Sequence, residues 1–227
     1  MTRAKLVMCW SGGKDSALAL HRLQQEGRYE VVGLLTTVTR GWDRISMHGV
    51  RDELLTAQAE ALGLPLHRVW IPKACINAEY QSAMGLAIDR LKAQGVSAMG
   101  FGDLFLEDIR RYREAQLAPT GVEPVFPLWG QDTQALARLL IAEGFRAKLC
   151  CIDPRHVPPE WVGREYDAAL LKELPAGVDP CGENGEFHSF VYAAPNFRAP
   201  IPLTVGERVE RDGFWFVDLL PDTRAAA

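Results

Sequence analysis

The chain has 227 residues and a mass of 25.2 kDa, with 48 % apolar and 24 % charged residues, a formal charge of −4 and a pI near 5.8. That length fits one large domain or two small ones and buries enough surface to need no staples. The acidic balance excludes a protein that grips nucleic acid by a basic face, and no apolar run approaches the roughly 20 residues of a membrane span.

Residues 1–5 lead into too short an apolar run for a signal peptide. The five cysteines, Cys9, Cys75, Cys150, Cys151 and Cys181, are odd in number and form no C-x-x-C pair. Neither a disulfide framework nor a structural zinc site is expected, and a reducing cytoplasm is the expected compartment.

Residues 5–10 are a short apolar run ending at Ser-Gly-Gly, which reads as a buried strand. Residues 15–26 carry Ala17, Leu20 and Leu23 on one face before Gly27, a helix with its stop. Residues 31–38 are rich in β-branched residues and read as a second strand. Residues 50–62 place Leu55, Ala59 and Leu62 on one helical face before Gly63, and residues 67–71 form a third strand ended by Pro72. A long helix over 77–94 carries Met84, Ile88 and Leu91, and a fourth strand covers 96–101. This alternation implies right-handed crossovers and a mostly parallel sheet with helices on both faces.

After Asp103 the rhythm changes. Residues 107–117 are charged and helical, with Glu107/Arg111 and Arg110/Glu114 four apart. Pro119, Gly121, Pro124 and Pro127 then break the chain. Helices are expected over 131–143 and 161–174, a strand over 147–152, and strands or a hairpin over 186–193 and 207–219. The expected division is 1–120 and 121–227, with no internal repeat; residues 225–227 are an alanine tail. Trp10, Trp70 and Trp129 are expected in the core, and Cys150-Cys151 on a strand as packing.

The most informative segment is Ser11-Gly12-Gly13-Lys14-Asp15-Ser16, between the first strand and the first helix. In a parallel sheet this is the carboxyl edge, where ligands bind. Two glycines allow a sharp turn and close backbone approach, and the helix behind offers free N–H groups and a positive dipole end. Ser11 and Ser16 add hydroxyls and Lys14 a charge, while Asp15 suits a helix cap or a magnesium contact through water. It is not a Walker loop, because Met8 stands where the first glycine belongs and Asp15 follows Lys14. Gly100-Phe101-Gly102 is no dinucleotide fingerprint either, with Phe105 at the third glycine.

These residues resemble the pyrophosphate loop of the PP-loop ATP pyrophosphatases, which share the adenine-nucleotide α-hydrolase fold. The resemblance implies cleavage of ATP between its α and β phosphates, adenylation of a substrate oxygen, and displacement of AMP by a nitrogen or sulfur nucleophile. Pro180-Cys181-Gly182-Glu183-Asn184-Gly185-Glu186-Phe187-His188-Ser189-Phe190 is similar to the Gly-Glu-x-Gly-Glu-aromatic-x-Thr signature of diphthine–ammonia ligases and their bacterial relatives. Ser189 replaces the usual Thr and keeps the hydroxyl. Gly100-Phe101-Gly102-Asp103, Tyr112-Arg113-Glu114 and Pro127-Leu128-Trp129 add to a likeness that spans residues 5–202.

The implied fold is α/β: a Rossmann-like, HUP-type sheet over 1–120 for ATP, followed by a smaller α+β substrate domain over 121–227. The expected nucleotide contacts are Ser11, Gly12, Gly13, Lys14, Asp15 and Ser16, with Thr36 and Thr37 at the end of the second strand near the adenine. His48, after Ser46-Met47, and Gly102 and Asp103 at the fourth strand's end complete that set. Glu183, Asn184, Glu186, His188 and Ser189 form a dense polar cluster that suits an ammonium or trimethylammonium group, ammonia or magnesium; its bland alternative is a solvated turn. Ser16, Glu183, Glu186 and His188 are the expected catalytic residues. Arg113, Glu114, Asn184 and Ser189 are expected to hold the acceptor, and Asp15 and Asp103 a metal. Arg113 and Glu114 fit helix-face ion pairs equally well, and Cys181 has no base fixed beside it by the sequence.

The leading function is an ATP-dependent, AMP-forming amide ligase using Mg2+ and free ammonium, since no glutaminase unit is visible. Its acceptor is a carboxylate, protein-borne diphthine or, in a bacterium, a small metabolite or cofactor precursor. The competing class is a nucleotide-binding regulatory module of universal-stress type. Nucleic acid and membrane are not expected partners; a homodimer fits.

Overall fold

The computed structural model describes residues 2–42, 44–45 and 48–222. Ser46, Met47 and residues 225–227 lie outside the described residues.

The first sheet contains β1 (Ala4–Cys9), β2 (Tyr29–Thr39), β3 (Arg44–Ile45), β4 (Leu66–Ile71), β5 (Val96–Gly100) and β6 (Glu123–Val125). β1 is central and pairs parallel with β2 and β5; β4 extends the sheet beyond β2 and β6 beyond β5, both parallel. β3 alone among the described strands of this sheet is antiparallel, as a short return against the end of β2.

Side chains alternate across the central strands. Leu6 and Met8 face α1 (Lys14–Glu26) and α2 (Asp52–Leu62), in one core with Leu20, Leu23, Leu54 and Leu55. Val7 faces the opposite way, with Leu35 and Met99, toward Ile88 and Leu91 of α3 (Asn77–Ala93) and Leu117 of α4 (Glu107–Leu117). Burial on both faces explains why these strands read as nearly continuous apolar runs. The expected α/β sheet with helices on both faces is the one observed.

The second half contains α5 (Thr133–Ala142), β7 (Arg146–Ile152), α6 (Ala168–Glu173), β8 (Phe187–Ala193), β9 (Leu203–Arg211) and β10 (Phe214–Pro221). Its antiparallel sheet runs β8-β7-β10-β9. Asp132 caps α5 by accepting the Ala135 N–H at 2.7 Å, and Asp167 caps α6 through the Leu170 N–H at 2.8 Å. One core continues from Leu6 and Leu20 to Leu149, Phe187 and Phe190, so the two sheets pack on each other. An ion triad reinforces the seam, with Arg44 and Arg51 both on Asp218 at 3.0 and 2.7 Å.

Two sequence expectations are corrected. The helix expected over 161–174 is helical only at Ala168–Glu173, after a single 3-10 turn at Pro159–Trp161. The intervening backbone serves β7 instead: Gly163 donates to Leu149 O, Arg164 O accepts from Leu149, and Tyr166 donates to Ala147 O. Trp70 is 38 % exposed, whereas Trp10 is 3 % exposed. Val69 and Ile71 take the inward positions of β4, and the strand period turns Trp70 outward. Trp129 is half-buried beneath the Arg110 guanidinium, 4.7 Å from its ring centre.

Candidate active site

The Ser11–Gly13 turn leaves β1 at the carboxyl edge of the parallel sheet, and α1 opens at Lys14. Gly12 has φ +76°, and a Cβ there would stand 2.8 Å from Gln58 Oε1. Only glycine suits both constraints. Ser16 Oγ donates to Gly13 O at 2.9 Å and shares a hydrogen bond with Ser11 Oγ at 3.1 Å. Ser11 Oγ also accepts the Gly13 N–H at 3.2 Å. The loop is therefore shaped by its own hydroxyls.

Asp15 is not the helix cap. The cap position is Gly13, which has no side chain, and Asp15 lies in the first turn with its carboxylate 2.8 Å from Lys14 Nζ. Ser189 Oγ of β8 accepts the Lys14 N–H instead, at 3.2 Å. Gly102 approaches the same turn from β5; a Cβ there would lie 2.8 Å from Ser16 N.

Lys14 points away from open solvent. Its ammonium donates to the Cys181 carbonyl and to Asp15, 5.7 Å from the Tyr166 ring centre and 5.4 Å from that of Phe187. Burial works against its charge, but Asp15, Cys181 and Glu183 together outweigh this and hold its pKa above the ordinary value. Lys14 thus ties the 11–16 loop to the segment over 181–189.

The two segments enclose a cleft of about 270 Å³. Ser11, Gly13, Lys14, Asp15 and Ser16 line one wall, with Gly102, Asp103 and Arg113 beside them. Glu183, His188 and Ser189 line the other, with His48 between the walls. Asp103 and Arg113 form a two-pronged ion pair at 2.6 and 3.0 Å. Glu183 Oε1 accepts the Leu104 N–H at 2.8 Å. Burial raises its pKa to about 7, aided by the carboxylate of Asp15. His48 and His188 stack with ring centres 4.6 Å apart. Burial holds both imidazoles neutral, His48 well below its ordinary pKa and His188 down at about 4.

Six residues singled out in the sequence do not line the cleft: Gly12, Thr36, Thr37, Glu114, Asn184 and Glu186. Glu186 is 3 % exposed and accepts from Asp179 N, Asn184 N and Asn184 Nδ2, so it braces its own loop. Glu114 pairs with Arg110 at 2.7 Å. β2 runs on to Thr39, which leaves Thr36 and Thr37 within the strand and Thr36 buried.

His188 also lines a second, largely apolar cavity of about 330 Å³. Thr39, Ile71, Trp42 and Phe216 contribute to its walls, with Arg44 and Lys73 among its basic residues. Trp42 is flanked by Lys73 Nζ at 4.9 Å and the Arg211 guanidinium at 5.0 Å. Among the described residues, no group of three or more His, Cys, Asp or Glu could hold a metal ion. No helix among them is long and apolar enough to cross a membrane.

Residues 4–122 match the family model described as the diphthamide synthase N-terminal domain, and residues 132–219 match that of the diphthamide synthase C-terminal domain. The chain belongs to the diphthamide synthase family. A diphthine–ammonia ligase of Danio rerio is 28 % identical over 233 residues, covering 90 % of this chain and 88 % of that protein. That of Rattus norvegicus is 24 % identical over 225 residues, with 88 % and 82 % covered. That of Schizosaccharomyces pombe is 27 % identical over 225 residues, covering 91 % of this chain but 37 % of the longer yeast protein.

In this diphthamide synthase family member, sequence reasoning missed several residues around the site. Tyr166 and Phe187 flank the Lys14 ammonium, and Trp42 and Phe216 wall the second cavity. Gln58 is the most informative omission. It is fully buried on the inner face of α2, beside Leu54, Leu55 and Ala59. A polar residue within that apolar stripe was the available signal. Cys9, Cys151 and Cys181 are packing thiols, pushed up to about 12 by burial.

Proposed function

We propose that this chain is an ATP-dependent amide ligase that adenylates an acceptor carboxylate, releases pyrophosphate and transfers the acyl group to ammonia. The family and its diphthine–ammonia ligase relatives support a ligase of diphthamide synthesis with a diphthine carboxylate as acceptor. The single observation that carries the reading is the convergence of the 11–16 loop and the 183–189 segment on one cleft. A regulatory module of universal-stress type has no use for the second sheet, which here contributes His188 and Ser189 to that cleft, with Glu183 from the turn leading into β8.

In this reading the N-terminus of α1 and the hydroxyls of Ser11 and Ser16 receive the phosphates, with Gly12 and Gly13 giving close approach. The adjoining apolar cavity takes the nucleoside, so the adenine contact expected of Thr36 and Thr37 passes to Thr39, farther along the same strand. His48 and His188 stand between base and phosphates. The acceptor lies toward Gly102, Asp103, Arg113 and Glu183. Glu114, Asn184 and Glu186 act by holding helix and loop in shape. In the same reading residues 1–120 serve ATP and 121–227 the substrate, with β6 (Glu123–Val125) of the second part joined to the first sheet through β5.

The acceptor carboxylate attacks the α-phosphorus; its oxygen bonds to phosphorus as the bond to pyrophosphate breaks. A carboxylate needs no activating base, so positioning and charge neutralisation suffice. Ammonia then bonds to the acyl carbon, AMP leaves, and the proton released from nitrogen goes to Glu183. A carboxylate titrating at about 7 is suited to that transfer at neutral pH. Magnesium arriving with ATP brings phosphate oxygens and waters as ligands and asks little of the protein. Asp15 and Asp103 are the cleft carboxylates that would meet it, although Lys14 and Arg113 already engage them.

Incubation with ATP, magnesium, ammonium and candidate carboxylates, followed by mass spectrometry, tests the reading. AMP, pyrophosphate and an amide are expected. ADP and phosphate alone, with a competent acceptor present, would overturn it.

A further inference from the structure

We propose that Gln58 is a positioning residue that aims the phosphate loop at its ligand, an inference that rests on the nucleotide reading of that loop. Its side chain is fully buried and makes three hydrogen bonds, spending both amide hydrogens and one lone pair of the oxygen. Trp10 Nε1–H donates to Gln58 Oε1 at 2.8 Å. Gln58 Nε2 donates to Gly12 O at 3.0 Å and to Val191 O at 2.6 Å. The amide orientation is fixed by chemistry, because only the NH2 group satisfies two carbonyls and only the oxygen satisfies the indole.

The Gly12 carbonyl receives a second donor, the Val191 N–H of β8, at 2.9 Å. Two elements therefore hold one carbonyl of the loop, α2 through Gln58 and β8 through its backbone. In a trans peptide the C=O and the following N–H point in opposite directions. Pinning the Gly12 oxygen into the seam between the sheets turns the Gly13 N–H the other way, toward Ser11 Oγ and the cleft that Gly13 lines. Two consecutive glycines offer little resistance to a peptide flip, so the orientation must be imposed from outside. Leucine or methionine would fill this position among Leu54, Leu55 and Ala59 without the desolvation cost of an amide. The polar side chain is explained by the carbonyl it holds.

The test is binding of a non-hydrolysable ATP analogue, measured by calorimetry, with the exchange rate of the Gly13 amide as a second readout. Gln58→Met keeps the volume and removes the three bonds. Its affinity is expected to fall roughly tenfold or more, with faster exchange at Gly13. Leu140→Ala, in the buried face of α5, controls for lost stability and is expected to bind as the parent does. Should Gln58→Met fail to fold, Trp10→Phe, which removes the donor to Gln58 Oε1, is measured by the same criteria. Parental affinity in the Gln58 variant, or an equal loss in Leu140→Ala, overturns the positioning role alone. A parent protein that binds no analogue overturns the nucleotide reading and this role with it.

Discussion

Ser189 Oγ accepts the backbone N–H of Lys14 at 3.2 Å, so strand β8 supplies the cap that helix α1 lacks at Gly13. A serine from the 180–190 segment thereby completes the first turn of the helix that follows the 11–16 loop. Ser189→Ala is expected to cost about 0.5–2 kcal/mol of stability, as for a lost cap. Ser189→Thr, which retains the hydroxyl, should restore most of it. Chemical denaturation of the two variants beside the parent checks this; equal losses would remove the capping role.

Ser16 bonds to Gly13 O and Ser11 Oγ inside the loop. Ser16→Ala is expected to reduce AMP formation by roughly tenfold or more while altering nucleotide binding less, because loop geometry matters most as pyrophosphate departs. Comparing kcat with analogue affinity decides it. A purely ground-state contact would raise KM and leave kcat alone.

Glu183 has its pKa raised to about 7 from 4.5, chiefly by burial. The folded state thus favours the protonated acid, and its contribution to stability is complete below 4.5 and lost as pH rises through 7. Glu183→Gln should flatten stability against pH across that window. It should also abolish the rate limb near neutrality while sparing ATP binding. Melting curves and rate profiles measured from acid to neutral pH give both answers; an unchanged profile rules out Glu183 as the proton acceptor.

His188 moves the opposite way, down to about 4 from 6.5 through burial. Its neutral form belongs to the fold, so its contribution is present above 6.5 and disappears as pH falls toward 4. His188→Gln should lessen acid destabilisation in that interval. Denaturant midpoints above and below it provide the comparison.

Glu186 braces its loop through Asp179 N, Asn184 N and Asn184 Nδ2. Glu186→Gln replaces an acceptor-only carboxylate by a group that must also donate, beside two backbone N–H groups. A stability loss of about 1–3 kcal/mol is expected. Activity recovered by lowering the temperature would mark the role as scaffolding; activity lost at every temperature would mark it as chemistry.

Much of this architecture is written locally. The run through Leu6, Val7 and Met8 announces a doubly covered strand, and Gly27 and Gly63 end their helices with φ of 64° and 67°. The glycine turn at 11–13 and the helix that follows it are legible because glycine spacing and helix onset are neighbours in the chain. The helix expected over 161–174 failed because Gly163, Arg164 and Tyr166 spend their backbone groups on β7, a tertiary choice that local propensity does not record. Glu183 and Glu186 look alike in sequence, yet one lines the cleft and the other is enclosed by its own turn. Long-range bonds, Gln58 to Val191 and Ser189 to Lys14, join segments whose meeting no pattern within either segment encodes.

The core shared by the two sheets bears on how the molecule comes apart. Leu6 and Leu20 belong to the same buried cluster as Leu149, Phe187 and Phe190, and the Gly12–Val191 bond crosses between them. Removing either half would expose a broad apolar surface on the other. The protein should therefore melt in one cooperative transition, with the two halves unable to act as interchangeable modules in chimeras. Binding energy gained at the 11–16 loop would then protect the antiparallel sheet as well, slowing amide exchange along β7 and β8 beyond the residues that line the cleft.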